Sequence, residues 1–185
     1  MNSYHNTVEL YNITAKGYDE LYRDEQYSKY SYVFEKGFVS RGTVIDVGCG
    51  TGLLYEYIVS NGYSFDKYIC IEPSYSMLTI AMKKFHHDPR VIGFIGLGEF
   101  IGLRSSIADS VYSFTVWDNV PINCRKKFLN EILKLIKCNG YVVLSFIKHG
   151  WKDKLRYIES IIIENNHDLR FLGCNRYDCF LVIWK

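Results

Sequence analysis

The residues with the clearest binding chemistry are three glycines at alternate positions, Gly48, Gly50 and Gly52, which follow an apolar run containing Asp46. Glycines at such a turn permit unusual backbone dihedrals and allow a ligand to approach the backbone closely. The spacing is not the GxGxxG dinucleotide fingerprint, because residue 53 is leucine, and the Gly-Lys-Ser/Thr ending of a P-loop is absent. Asp46 would repel a pyrophosphate, so the turn suits a ligand that carries an ammonium group.

A second acidic residue, Glu72, lies 24 residues after Gly48, at the end of the next apolar run. An acidic residue at about this spacing binds a ribose diol in nucleotide-binding folds, and its two oxygens can accept from two hydroxyls. The alternative is that Glu72 merely precedes a helix that begins at Pro73. Glutamate is a poor N-cap and Ser74 can do that work, so the ribose interpretation is favoured.

The elements that must position these residues alternate between strands and helices. Strands are predicted over residues 43–47, 68–71, 91–95, 111–117 and 141–147. Helices are predicted over residues 53–60, 74–85, 122–137 and 152–165, and residues 99–103 form a short helix or a loop. The helix over 122–137 is expected to end at Asn139-Gly140. Two further strands, 169–174 and 179–184, are so close in sequence that they predict an antiparallel hairpin.

This order predicts an α/β fold: a doubly wound, mostly parallel seven-stranded sheet with an antiparallel last strand and helices on both faces. Ahead of it, residues 7–38 are predicted to form one or two tyrosine-rich helices. We therefore expect one domain over residues 1–185, with a helical lid at 1–40 and a Rossmann-like core at 41–185.

The combined motifs resemble those of the class I methyltransferases that use S-adenosylmethionine (SAM). Residues 46–52 match the first motif of that family, and residues 71–74 look like the second. Residues 98–99 and 108–111 resemble the third-strand region, and residues 129–144 resemble the late helix and fifth strand. The resemblance spans about residues 40–148 and implies SAM as the cofactor, whose ammonium group and sulfonium suit Asp46.

The resemblance also implies a set of cofactor-binding residues: Asp46, Gly48, Cys49, Gly50, Glu72, Pro73, Gly98, Glu99, Trp117 and Tyr18. Many family members have aspartate where Leu97 stands, so the adenine contact is expected from Glu99 or from backbone groups. Tyr18 belongs to an opening Tyr-Asp element and can place its ring near the sulfonium. The alternative for the N-terminal tyrosines is an aromatic stripe that packs on the sheet.

Candidates for a catalytic base follow from the strand ends. Asp118 closes the fourth strand and His149 follows the fifth, so both are expected at the ligand-bearing edge. His86 and His87 are expected at the far end of a helix, away from that edge. Capping of the next helix is an alternative role for Asp118, and a solvated loop position is the alternative for His149. Activated methyl donors need a base only for some acceptors, so no catalytic residue is assigned.

Composition limits the remaining possibilities. The 185-residue chain has a net charge of +2 and lacks any apolar run near the roughly 18 residues of a membrane span. Without a secretory signal, the cytoplasm is the expected location. The six cysteines lack zinc-site spacing, so reduced thiols and no metal are expected.

A basic rim is a further hypothesis. Its members, expected beside the ligand-bearing edge, are Arg125, Lys126, Lys127, Lys148, Lys152, Lys154 and Arg156. Such a rim would attract an anionic acceptor, and the alternative is a solvated charged face.

The predicted function is methyl transfer from SAM to an acceptor that the sequence does not identify. A small molecule is favoured over RNA or protein because the chain has almost no insertion beyond the core. The alternative is a SAM-binding partner or sensor without transfer activity. A nicotinamide dehydrogenase is disfavoured by Leu53 and by the terminal hairpin. The oligomeric state stays open.

Overall fold

The computed structural model describes residues 2–85 and 88–184, so His86 and His87 lie outside the described residues. The helices are α1 (Asn2–Phe34), α2 (Leu53–Ser60), α3 (Tyr75–Lys84), α4 (Arg125–Lys134) and α5 (Trp151–Glu164). The strands are β1 (Thr43–Val47), β2 (Lys67–Glu72), β3 (Val91–Ile95), β4 (Ala108–Ser113), β5 (Ile136–Ile147), β6 (Asp168–Cys174) and β7 (Asp178–Trp184). Short 3-10 turns cover Trp117–Asn119 and Ile122–Cys124.

The strands form one seven-stranded sheet in the order β3-β2-β1-β4-β5-β7-β6. Neighbours from β3 to β5 pair in parallel, whereas β7 is antiparallel to both β5 and β6. The predicted fold class, including the antiparallel last strand, is confirmed. Because β7 follows β6 through a short turn, an antiparallel pairing is the one that this connection allows.

Side chains on the two faces of the sheet build two separate cores. On one face, Ile45 and Val111 belong to a buried cluster with residues of α4 and α5, such as Phe128 and Ile158. The opposite face carries a cluster rich in aromatic rings, which is filled by α1, α2 and α3. Period-two alternation along each strand divides the side chains in this way, so both faces need helices to cover them.

The N-terminal segment forms a single helix of 33 residues. Its C-terminal half packs rings on the sheet, with Tyr30 beside Phe114 and Phe34 beside Tyr112. The Tyr32 hydroxyl donates to the carbonyl of Leu172 at 3.0 Å. The packing interpretation therefore holds for this half, and the other half reaches the site described below.

Several predicted boundaries are wrong, at the fourth strand, at the helix that follows it and at the start of the fifth strand. The fourth strand ends at Ser113 rather than at residue 117, and α4 ends at Lys134, with β5 beginning at Ile136. Asn139-Gly140 thus lies inside β5, not at a helix terminus. A Cβ atom at Gly140 would lie 2.7 Å from the carbonyl oxygen of Ala108, so glycine here serves close contact between neighbouring strands.

The expectation of reduced thiols is wrong for four cysteines, because the structure pairs Cys49 with Cys70 and Cys174 with Cys179 as disulfides. Strand register explains both pairs. Cys70 lies on β2 beside the end of β1, just before Cys49, and Cys174 faces Cys179 across the terminal hairpin. In the described part of the chain, Cys124 and Cys138 are free.

No helix within the described ranges has the combined length and apolar character that crossing a membrane requires.

Candidate functional site

The site lies where the sheet changes winding direction, between β1 and β4. In open α/β sheets, ligands bind beyond the carboxyl ends of the strands at this switch point. Here the loops after β1, β2 and β4 line a cavity of about 650 Å³, counting the part open to solvent. A second cavity adjoins it and shares Tyr18, Gly48, Gly50 and Phe114. Together they form one cleft.

The glycine turn is the floor shared by the two cavities. Gly48 adopts a left-handed conformation with φ of 77°, and its amide donates to the carbonyl of Ile71 at 2.8 Å. A Cβ atom at Gly48 would collide with the side chain of Val116 from the loop after β4. The turn therefore requires glycine both for its dihedrals and for the close approach of a neighbouring loop.

Glu72 lies beside this turn and lines the larger cavity. Its two carboxylate oxygens accept from the backbone amides of Gly50 (2.9 Å) and Ser74 (2.8 Å). Burial raises the pKa of Glu72 to about 7, against the opposing effect of those two hydrogen bonds. Ser74 caps α3 by accepting from the amide of Met77, so Glu72 is not needed as the cap. Each carboxylate oxygen keeps further acceptor capacity for a ligand.

Asp46 lines the second cavity, on the other side of the turn. Its carboxylate accepts from the Tyr68 hydroxyl at 2.6 Å, and the residue is 3% exposed. Burial raises the pKa of Asp46 to about 7, although the Tyr68 hydrogen bond opposes this shift. A cation bound beside Asp46 would favour its ionised form, so this cavity suits an ammonium group.

The N-terminal half of α1 lies across the larger cavity. Thr7, Val8, Tyr11 and Tyr18 line it. The Tyr11 hydroxyl accepts from the side-chain amide of Asn119 at 3.1 Å, which ties α1 to the loop after β4. Asn12 makes a second connection, because its Oδ1 accepts from the Ser74 hydroxyl at 2.7 Å. The helix therefore covers the cleft as a lid would.

The cleft brings together seven of the predicted cofactor-binding residues: Tyr18, Asp46, Gly48, Cys49, Gly50, Glu72 and Pro73. Gly98, Glu99 and Trp117 line neither cavity. Gly98 packs where a Cβ atom would strike Phe128, and Glu99 is buried. Because β4 ends at Ser113, Trp117 begins a 3-10 turn and is fully buried in the core beside α4. The cofactor contacts of these three residues stay predictions.

The two base candidates also lie outside the lining of both cavities. The Asp118 carboxylate accepts from the amide of Ile147 at 2.7 Å and forms an ion pair with Lys154. These contacts tie the turn after β4 to β5 and α5. His149 is exposed in the connection that follows β5. Neither arrangement supports proton transfer inside the cleft.

Most cations of the predicted basic rim have local partners. Lys126 pairs with Glu164 at 2.6 Å, Lys154 with Asp118, and Arg156 with Asp153 at 3.4 Å. Arg125 and Lys127 lie over the rings of Trp117 and Phe100. These contacts favour the alternative of a charged solvated face over a rim that attracts an anionic acceptor.

Several lining residues have no counterpart in the sequence prediction: Gln26, Tyr30, Met77, Phe114, Thr115 and Val116. Residues 114–116 lie in the loop after β4, but the sequence pattern assigned them to a strand over residues 111–117. Ending that strand at Ser113 would have placed them at the ligand-bearing edge. Gln26 and Tyr30 come from α1, and the sequence carries no local signal for where that helix docks. Within the described residues, no three His, Cys, Asp or Glu side chains cluster to hold a metal.

A doubly wound sheet with a glycine turn, two flanking buried carboxylates and a covering helix defines the class of Rossmann-like SAM-binding proteins. Residues 45–144 match the family model described as "Methyltransferase domain", which covers more than half of the chain. The chain belongs to this methyltransferase family, and solved structures that share its fold include complexes with SAM and with SAH. No curated protein matches it.

Solved structures share the fold at low sequence identity. The complex of DhpI with SAM and HEP has a TM-score of 0.78 at 13% identity, covering 98% of this chain and 97% of that one. A putative SAM-dependent methyltransferase from Methanococcus maripaludis has a TM-score of 0.75 at 16% identity, with coverage of 94% and 93%. A SAM-dependent methyltransferase from Aquifex aeolicus has a TM-score of 0.71 at 20% identity, with coverage of 93% and 96%. At these identities the likeness establishes the fold.

Proposed function

We propose that this protein is an active SAM-dependent methyltransferase that methylates a small molecule, as one domain with a lid over residues 1–40 and a core over residues 41–185. The observation that carries the proposal is the placement of two buried carboxylates, Asp46 and Glu72, on either side of one glycine turn. Such a pair matches a ligand with a cationic amino-acid end and a ribose diol.

The chain's residues divide the binding work between the two cavities. Asp46 would hold the ammonium group, because an ionised carboxylate in a buried site attracts a cation strongly. Glu72 would accept from the ribose hydroxyls while its oxygens stay fixed by the amides of Gly50 and Ser74. Met77, which also lines the larger cavity, offers an apolar surface for the adenine. The bound cofactor supplies a methyl group already activated by its sulfonium.

The covering helix supports a small acceptor. Tyr11 and Tyr18 close the larger cavity, and the Tyr11–Asn119 hydrogen bond holds the lid against the loop after β4. A small molecule fits under such a cover, whereas a folded macromolecule would have to displace it. A lid in this position would limit the access of water to the bound ligand, which would strengthen the electrostatic contacts inside the cleft.

A second candidate, a SAM-binding protein without transfer activity, is favoured by one observation. Asp118 and His149, the two predicted bases, line neither cavity. Methyl transfer to an acceptor that is nucleophilic in its neutral form needs no base, so this observation alone does not decide between the candidates.

Transfer of labelled methyl from SAM into a cell extract, separated into small-molecule, RNA and protein fractions, tests the proposal. Asp46→Asn protein in the same extract is the control for background transfer, and Asp66→Asn is the matched variant outside the cleft. We expect label in the small-molecule fraction with the wild type and Asp66→Asn only. Label in RNA or protein would refute the small acceptor. No label, together with calorimetric binding of S-adenosylhomocysteine, would favour the non-catalytic candidate.

A further inference from the structure

A buried polar network lies directly behind the wall of the larger cavity. Lys29 comes from α1, Thr115 from the loop after β4, Ser145 from β5 and Asp178 from the first position of β7. The side chain of Lys29 is completely buried and that of Asp178 is 2% exposed. Four distant parts of the chain thus place polar groups at one point in the interior.

The hydrogen bonds of this network follow a consistent direction. The Lys29 ammonium donates to Thr115 Oγ1 at 2.8 Å, and Thr115 Oγ1 donates to Asp178 Oδ2 at 2.9 Å. The backbone amide of Thr115 donates to Ser145 Oγ at 2.8 Å, and Ser145 Oγ donates to the same carboxylate at 2.6 Å. Lys29 lies 3.4 Å from Asp178 Oδ1. Thr115 is therefore held through both its amide and its hydroxyl.

Thr115 is also strained. Its φ of 60° lies in the left-handed region, which a β-branched residue adopts rarely. Glycine would take this conformation without strain. A buried ion pair is itself weak evidence for stability, because desolvation of the two charges opposes their attraction. Strain combined with a buried charged network concentrates at functional sites, where the surroundings hold a backbone that would otherwise relax.

The conformation of Thr115 sets the shape of the cavity. Phe114, Thr115 and Val116 all line it, and Val116 packs against Gly48 of the glycine turn. The carbonyl of Thr115 accepts from Asn119, the residue that also donates to Tyr11 of the lid. One strained residue therefore links the cavity wall, the glycine turn and the lid.

We propose that Lys29, Ser145 and Asp178 are positioning residues for methyl transfer, which hold Thr115 so that residues 114–116 form the wall against which the methyl donor and the acceptor are aligned. This rests on the proposed function. Positioning contributes to the rate of transfer more than to the affinity for the donor, because small errors in the alignment of reacting groups cost rate steeply. None of the three positioning residues lines the cavity, so each acts through Thr115.

The test compares Ser145→Ala with Ser113→Ala. Both serines are buried on neighbouring strands, but Ser113 Oγ has no hydrogen-bond partner among the described residues, so it is a matched control. We expect Ser145→Ala to lower kcat at least tenfold while the Kd for SAM changes less than threefold. Ser113→Ala should leave both values unchanged. Wild-type kcat in Ser145→Ala would overturn the proposal.

A second comparison separates positioning from stability. Thr115→Gly relieves the strain but removes the hydroxyl bonded to Lys29 and Asp178, so its two effects on the melting temperature of the SAM-free protein oppose each other while kcat falls. Thr115→Ser keeps the hydroxyl and should restore most of kcat. If Thr115→Gly retains wild-type kcat, or if Thr115→Ser loses as much of kcat as Thr115→Gly, the hydroxyl-held conformation of Thr115 has no role in positioning and the proposal fails. Lys29 is left unchanged, because its removal would strand the buried Asp178 charge and is expected to unfold the protein.

A readout that needs no acceptor is the NMR signal of bound SAM labelled with 13C at its methyl group. Thr115→Gly and Ser145→Ala should shift this signal, and Ser113→Ala should not. An unchanged signal in both Thr115→Gly and Ser145→Ala would overturn the proposal even if no acceptor is found. Failure of the wild-type protein to bind SAM would instead refute the proposed function, and calorimetry detects that before any variant is compared.

Discussion

Replacement of Glu72 by alanine should weaken SAM binding much more than it weakens the fold. The two carboxylate oxygens already accept from the amides of Gly50 and Ser74, and both have capacity for a ribose hydroxyl. Hydrogen bonds to a charged group contribute roughly 1.5–3 kcal/mol each. Loss of the pair should therefore cost at least about 3 kcal/mol, which raises the Kd more than 100-fold.

The cost to the fold is smaller. Two backbone amides lose a charged acceptor in Glu72→Ala, but the substitution also removes the cost of burying the carboxylate, which raises its pKa to about 7, so the net loss is about 2 kcal/mol. For a chain of this length, 2 kcal/mol corresponds to a fall in melting temperature of roughly 4–8 °C. Glu72→Gln keeps one acceptor oxygen and should lie between alanine and the wild type in both measurements. The expected protein is thus folded but deficient in binding.

Isothermal titration calorimetry with SAM at pH 8 measures the affinity, and thermal unfolding of the SAM-free variants measures the fold. Glu131→Gln is the control, because the Glu131 carboxylate also accepts from a backbone amide, that of Ile101 at 3.3 Å, but lines neither cavity. We expect wild-type affinity for this control. A Kd for Glu72→Ala within threefold of the wild type would refute the ribose assignment. Weaker SAM binding by a separate variant, Glu99→Gln, would favour the adenine contact predicted for that residue.

Three further predictions follow from the geometry of the site. Burial raises the pKa values of Asp46 and Glu72 to about 7, so SAM affinity should increase from pH 6 to pH 7.5 as they ionise, by roughly tenfold for each carboxylate that must lose its proton. Calorimetry across this range should show a weaker pH dependence for Asp46→Asn, and a pH dependence equal to that of the wild type would contradict the assignment. Gly48→Ala should abolish SAM binding and lower the melting temperature. Gly62 also has a positive φ but has open space at its Cβ position, so Gly62→Ala should bind SAM normally. Equal binding by the two variants would show that the turn tolerates a side chain. Asp118→Asn should lower the free energy of unfolding by about 1 kcal/mol through the weakened ion pair with Lys154, and it should leave methyl transfer intact. Urea unfolding and the labelled-methyl assay measure these two quantities. A loss of transfer without a loss of stability would restore Asp118 as a candidate base.

The glycine turn and its two carboxylates were predictable from the sequence, because each lies on or directly after a strand that the sequence itself indicates. Strand β1 runs directly into the glycine turn, so Asp46, Gly48 and Gly50 are placed by a few consecutive residues. Glu72 follows in the same way, because it ends the strand that pairs with β1 in parallel. Parallel pairing brings these strand ends to one edge regardless of packing elsewhere.

Strand order was predictable for a similar reason. Connections of helical length predict parallel neighbours, and the short turn before β7 predicts an antiparallel pair. The exact residues at which the strands and helices begin and end were not predictable from the sequence. The fourth strand ended at Ser113 rather than at Trp117, because the turn at Thr115 depends on a left-handed conformation that the residue type does not suggest.

Tertiary structure alone decided the rest. The placement of Tyr30 and Gln26 at the second cavity depends on how α1 docks, and the disulfide of Cys49 with Cys70 depends on strand register. The network around Thr115 joins residues from α1, β5 and β7 that are far apart in the sequence. Lys29 has one partner on its own helix, Glu25 at 2.7 Å, but its contacts with Thr115 and Asp178 depend on folding, so no local pattern in the sequence indicates that this charge is buried.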